Sequence, residues 1–160
     1  MKTKKKTLKI TIAFIGLAIL IAGGVVTYMF NQPARNVQDT KTDFSYKSSE
    51  IVEEYLTNTQ KANDKYLDEN GNSKVIEVTG MVASITEDFN KQKVILLKSQ
   101  NDKAGVSCTF TPETNSHTAN ISIGDNIRIK GVIRSGATFD EDLDMYENVI
   151  LEKCDIISNK

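Results

Sequence analysis

Arg128, Lys130 and Arg134 alternate with Ile127, Ile129 and Ile133 along one β-rich stretch, so the cations fall on one face of a strand and the aliphatic groups on the other. Such a row suits an anionic ligand, and Lys93, with Lys91 and Lys98 beside it, offers a second basic segment. The plain alternative for both is a solvent face balanced by neighbouring carboxylates. Cys108 and Cys154, both in strand-like sequence, are the chain's two thiols. A bridge between them would close a loop worth ~4 kcal/mol in the loop-entropy account. The alternative is a pair of buried free thiols, and the strands' adjacency decides between them.

Other reactive groups lack a working arrangement. The run Asp140-Glu141-Asp142-Leu143-Asp144 alternates carboxylates as a calcium loop does. However, Met145 stands at the glycine position and Leu151 at the bidentate glutamate position, so a solvated loop is expected. His117 is the lone histidine and sits among polar residues, which reads as a surface position. With two distant cysteines it makes no metal site, and no metal or other cofactor is expected. No G-x-S-x-G, H-E-x-x-H or glycine-rich phosphate loop occurs, so no catalytic residue is assigned and an enzyme is not expected.

The elements that must position these residues begin with a basic segment, residues 1–9, holding five lysines. Residues 10–30 then carry no charged side chain, and at 1.5 Å per residue such a helix reaches roughly 31 Å, enough to span a bilayer. The lysine flank orients it with the amino terminus inside and the remainder outside the cytoplasmic membrane. A cleaved signal peptide is the competing reading, with Ala22-Gly23-Gly24 as the small-residue site. The apolar run nevertheless continues through Val25, Val26, Tyr28, Met29 and Phe30, which favours an uncleaved anchor. Either reading exports the domain.

The whole chain has 20 Lys+Arg against 21 Asp+Glu. Setting the five amino-terminal lysines aside leaves an exported part of net charge about −6. Nucleic-acid binding draws on a basic stripe, so this balance counts against it without excluding a local patch. Tryptophan is absent and aromatics make up 7%, which disfavours broad stacking platforms.

Residues 31–47 are polar and aperiodic and read as a linker. Ser48-Ser49 offers an N-cap, Glu50, Glu53 and Glu54 follow in the first turns, and Ile51, Val52, Tyr55, Leu56, Ala62, Tyr66 and Leu67 keep a helical period to about residue 67. Five strands are then expected over 75–86, 92–98, 105–111, 126–134 and 146–157, the first bent at Gly80. One amphipathic helix before five strands suggests a domain over 48–160 built on a closed five-stranded barrel of the OB type. In that topology the third and fifth strands are neighbours, which sets Cys108 beside Cys154.

Several strings occur together in order: Asn31-Gln-Pro-Ala-Arg-Asn-Val37, Ala62-Asn-Asp-Lys-Tyr-Leu67, Val78-Thr-Gly-Met-Val82, Gly124-Asp-Asn-Ile-Arg-Ile-Lys-Gly131 and Val149-Ile-Leu-Glu-Lys-Cys154-Asp-Ile156. Through them the chain resembles, over about residues 31–157, the tRNA-anti-like family of bacterial exported or membrane-anchored OB-fold proteins. The resemblance implies a helix-preceded OB barrel, while the family's name records similarity to anticodon-binding domains. The family pattern often places a cysteine shortly after the Lys-Gly of the fourth strand. Here Ile133 and Arg134 stand there, so Cys108 and Cys154 are the one available pair. The expected role is a membrane-anchored, extracytoplasmic, non-enzymatic binding module with an envelope protein or glycan as partner. The second expectation is an oligonucleotide- or polyanion-binding domain.

Overall fold

The computed structural model of the protein describes residues 20–28 and 36–157. The chain divides into two units, Met1–Arg35 and Asn36–Lys160. In the first, residues 20–28 are helical, with Leu20, Ile21, Val25, Val26 and Tyr28 exposed. Among the described residues no helix is long and apolar enough to cross a membrane. The rest of the expected span, and all of the basic segment 1–9, lie outside the described residues.

The second unit is a closed barrel. β2 (Val75–Glu87) is long enough to serve two partners. Its first half pairs antiparallel with β5 (Asn126–Ser135), and its second half with β3 (Lys93–Leu97). β3 pairs antiparallel with β4 (Val106–Phe110), β4 runs parallel to β8 (Val149–Ile156), and β8 returns antiparallel to β5. Five strands thus close on one another, leaving no open edge in the ring. Alternation, broken by bulges in β2 and β8, fills the interior with Ile76, Val78, Val82, Ile95, Leu97, Val106, Phe110, Ile129, Ile133 and Leu151. The expected OB topology is present.

Gly80 answers to close packing. A Cβ there would lie 2.6 Å from Ser48 Oγ and 3.1 Å from Leu97 Cβ, and the break in register falls just beyond it, between Val82 and Ser84.

The segment before the barrel departs from expectation. Residues 36–47, read as linker, belong to the folded unit: Val37 is buried and β1 (Phe44–Lys47) adds to β2 as a parallel strand. Val75 N donates to Asp43 Oδ2 and Asp43 N to Val75 O, which locks its start. The segment looks polar because only alternate residues are inward; Phe44 and Tyr46 pack on Tyr66 while Thr42 and Ser45 donate to the Glu77 carboxylate.

The single expected helix is two. α1 (Ser48–Thr57) and α2 (Thr59–Tyr66) meet at Asn58, whose side chain accepts from Lys61 N and so starts α2. Lys47, with Glu50 Oε2 accepting its backbone N–H, takes the cap position expected for Ser48, because Ser48 is buried against Gly80. α1 lays Ile51, Val52 and Tyr55 into the barrel core. The expected acidic loop folds into a small hairpin, β6 (Thr138–Asp140) with β7 (Met145–Glu147).

Candidate binding surface

The basic residues do not converge. Lys130 Nζ donates to Gln38 O at 2.8 Å and Thr40 O at 2.6 Å, pinning the entry segment to β5. Its cross-strand neighbours are Glu77 and Asp155. Arg134 Nε lies 3.9 Å from Glu152 Oε1, and both side chains are exposed. Arg128 is exposed opposite Thr79, without an ionic partner among the described residues. Lys93, on β3, is paired with Glu87 at 3.0 Å. Glu87 and Thr79 are eight residues apart on β2, roughly 25 Å along the strand. The two basic segments are therefore separate, and two of the three cations on β5 are matched by carboxylates or carbonyls.

The outer face of β3 and β4 carries Val94, Leu96, Ser107 and Thr109, in the pairs Val94–Thr109 and Leu96–Ser107. None of these four is aromatic, and Lys98, one residue past β3, continues the Val94–Leu96 row, its Nζ donating to Lys103 O. The β2–β3 turn at one end holds Phe89 fully in solvent, while Asp88 Oδ1 accepts from Asn90 N and Gln92 N and keeps the turn rigid. The β6–β7 hairpin follows β5 at the opposite end. There the Phe139 and Tyr146 rings stand 4.8 Å apart, Leu143 and Met145 are exposed, and Lys103 Nζ sits 5.5 Å from the Tyr146 centroid.

Next to that hairpin, three adjoining grooves of about 500, 400 and 360 Å³ follow the outer side of α1. Leu56, Phe139 and Tyr146 supply apolar lining. Glu50, Glu53, Glu54, Asp102 and Glu141 outnumber Lys61 and Lys103, so the surface is acidic. Sequence reasoning missed it. The glutamates of α1 read as acidic groups at a helix start and the Asp140–Asp144 run as a solvated loop, and only folding sets them side by side.

At its far end Glu54 joins both helices to β1. Lys65 Nζ donates to Glu54 Oε1 at 2.7 Å and to Tyr46 Oη, while Tyr66 Oη donates to Glu54 Oε2 at 2.6 Å. The ammonium also lies within 5.5 Å of the Phe44, Tyr46 and Tyr66 ring centroids. Burial alone would raise the Glu54 pKa, but the bonds from Lys65 and Tyr66 and the Lys65 charge outweigh it and hold the carboxyl below its ordinary value. A depressed folded pKa contributes stability above the unfolded value of 4.5 that is lost as pH falls through the folded one. Glu54→Gln is therefore expected to flatten the loss of stability below about pH 4.5, measured by urea unfolding across pH 3–6.

His117 is surface-placed, its Nδ1 2.7 Å from Asp155 Oδ1. Among the described residues no three His, Cys, Asp or Glu side chains group as a metal site. Cys108 and Cys154 are free, fully buried thiols on the neighbouring strands β4 and β8.

No curated protein matches the chain. A solved structure from Klebsiella pneumoniae subsp. pneumoniae, a lipoprotein named for a proposed nucleic-acid-binding role, superposes with a TM-score of 0.52. The two are 16% identical, over 79% of this chain and 100% of that one, a likeness of fold. The tRNA_anti-like family profile matches residues 1–141, which takes in the basic and apolar amino-terminal segments together with most of the barrel. The chain belongs to the tRNA_anti-like family.

Proposed function

We propose that the protein is a non-enzymatic interaction module of the cell envelope. Residues 10–30 hold it in the cytoplasmic membrane with the amino terminus inside, and the barrel offers a protein partner the acidic, apolar-edged surface between α1 and the β6–β7 hairpin. The observation that carries this reading is where the exposed apolar groups lie. Phe139, Leu143 and Met145 crowd one hairpin beside the grooves, whereas the outward residues of β3 and β4, Val94, Leu96, Ser107 and Thr109, include no aromatic ring. An envelope glycan is the other partner class that such an exported surface could meet. The second reading, an oligonucleotide- or polyanion-binding barrel, draws support from the name of the Klebsiella lipoprotein and from the exposed Arg128, which has no ionic partner among the described residues.

The two readings separate in one pair of measurements. Cross-linking of the full-length protein in intact cells is expected to capture a protein partner, and Phe139→Ser with Leu143→Ser to reduce that capture at least tenfold. Single-stranded oligonucleotide added at low salt is expected to leave the polarisation signal unchanged. Binding that weakens steeply with salt and is lost in Arg128→Ala would instead establish the polyanion reading.

A further inference from the structure

We propose that Cys108 and Cys154 are joined by a disulfide made as the barrel closes and sealed within it afterwards. The inference rests on the export of the domain proposed above.

Three features converge on the two sulfurs. First, strand alternation alone would turn Cys154 outward, because Leu151 is inward and the period is two. β8 instead carries an extra residue. Against β4, Cys108 pairs with Leu151 and Phe110 with Cys154; against β5, Lys130 pairs with Asp155 and Val132 with Glu152. Both neighbours thus count two residues where β8 counts three, which is a β-bulge. Lys153, at φ 53°, supplies the left-handed turn, a conformation a lysine seldom adopts, and it rotates Cys154 into the core. Second, Gly131 on β5 clears the space: a Cβ there would lie 2.7 Å from Cys154 Sγ. Third, both thiols are fully buried in the same core on the paired strands β4 and β8, where Cys108 faces Leu151 and Phe110 faces Cys154. A bulge, a glycine and two cysteines on three strands together bring both sulfurs into the barrel core.

The chemistry is thiol–disulfide exchange. A thiolate of the pair attacks the disulfide of an envelope thiol oxidant, and the second cysteine resolves the mixed disulfide. One S–S bond forms in this chain, the oxidant's disulfide is reduced to two thiols, and two electrons pass to it. The attacking species must be ionised and reachable. In the folded barrel neither sulfur is exposed, and burial first, then the neighbouring Cys108, pushes the Cys154 thiol well above its ordinary value. Exchange therefore precedes the docking of β8, and the closed barrel blocks both reduction and reshuffling.

Full-length protein in its own membrane provides the test. Domain location is read first, by protease accessibility in spheroplasts. Cells are then acid-quenched, denatured and treated with a maleimide-coupled polymer, with and without prior reduction. The expected result is an accessible domain that gains two labels only after reduction. An accessible domain with both cysteines labelled unreduced in most chains overturns the disulfide. A protease-protected domain overturns the export reading instead. Sealing is read separately: dithiothreitol is expected to leave the native bridge intact for hours and to cut it within minutes in denaturant, and rapid reduction of the native protein would overturn that part. Gly131→Ala is expected to lower the bridged fraction; should it fail to fold, the labelling of the natural chain still decides.

Discussion

Tyr55→Ala is expected to lower the stability of the barrel by ~3–5 kcal/mol, whereas Tyr55→Phe leaves it unchanged or raises it by about 1 kcal/mol. Tyr55 is fully buried on α1, and its ring rests on Gly136, where a Cβ would come within 1.9 Å of the ring carbons. Truncation to alanine empties the largest contact between α1 and the barrel core and leaves a cavity that β-strands tied into a closed ring cannot collapse. The hydroxyl is another matter. It is the buried side-chain polar atom without a hydrogen-bond partner among the described residues, so its desolvation is uncompensated. Phenylalanine keeps the ring and removes that cost. The alkaline limb carries the same signature. Burial, then the Glu54 charge, pushes the Tyr55 pKa from 10.0 up to about 12. A raised folded value means stability that is whole below pH 10 and lost as pH climbs through 12. Tyr55→Phe is thus expected to flatten unfolding between pH 10 and 12, measured by circular dichroism in urea. Equal melting points for the phenylalanine and alanine variants would show that the ring does not anchor α1.

Lys130→Met is expected to cost ~2–3 kcal/mol, and Arg128→Met less than ~0.5 kcal/mol, although the two residues are neighbours on one face of β5. Lys130 spends its ammonium on the carbonyls of Gln38 and Thr40, two charge-assisted bonds that hold the entry segment against the sheet. Methionine retains the aliphatic stem and removes both donors. The released segment is expected to become a protease site between residues 36 and 42, visible by mass spectrometry before global unfolding. Arg128 holds nothing in the fold, so its replacement is silent in stability and reads only on ligand binding. Equal losses for both variants would count against the pinning role.

These two residues mark how far the sequence could be read. Alternation along 126–134 located the strand and its outward cations correctly, since a period of two is a local property. It could not separate a cation bound to backbone carbonyls ninety residues away from one left in solvent. Four of the five strands were legible for the same local reason, but the fifth, expected over 146–157, divides at Asn148 into β7 of the hairpin and β8 of the barrel. β1 was not legible, because its apolar–polar alternation lasts only four residues and its partner lies thirty residues further on. The division of the helix at Asn58 was equally hidden, as the apolar spacing continues through it.

By itself the sequence determined the longer strands of the barrel, the helical stretch before them, the charge balance and the apolar segment at residues 10–30, all of them properties of neighbours along the chain. Tertiary structure decided what those elements expose to one another. It separated Lys93 from the β5 cations, gathered the acidic and apolar residues of α1 and the β6–β7 hairpin into one grooved surface, and turned Cys154 inward through a one-residue bulge. The physical reason is the same in each case. Contact between distant segments depends on register, and a register shift of a single residue inverts which face a side chain occupies.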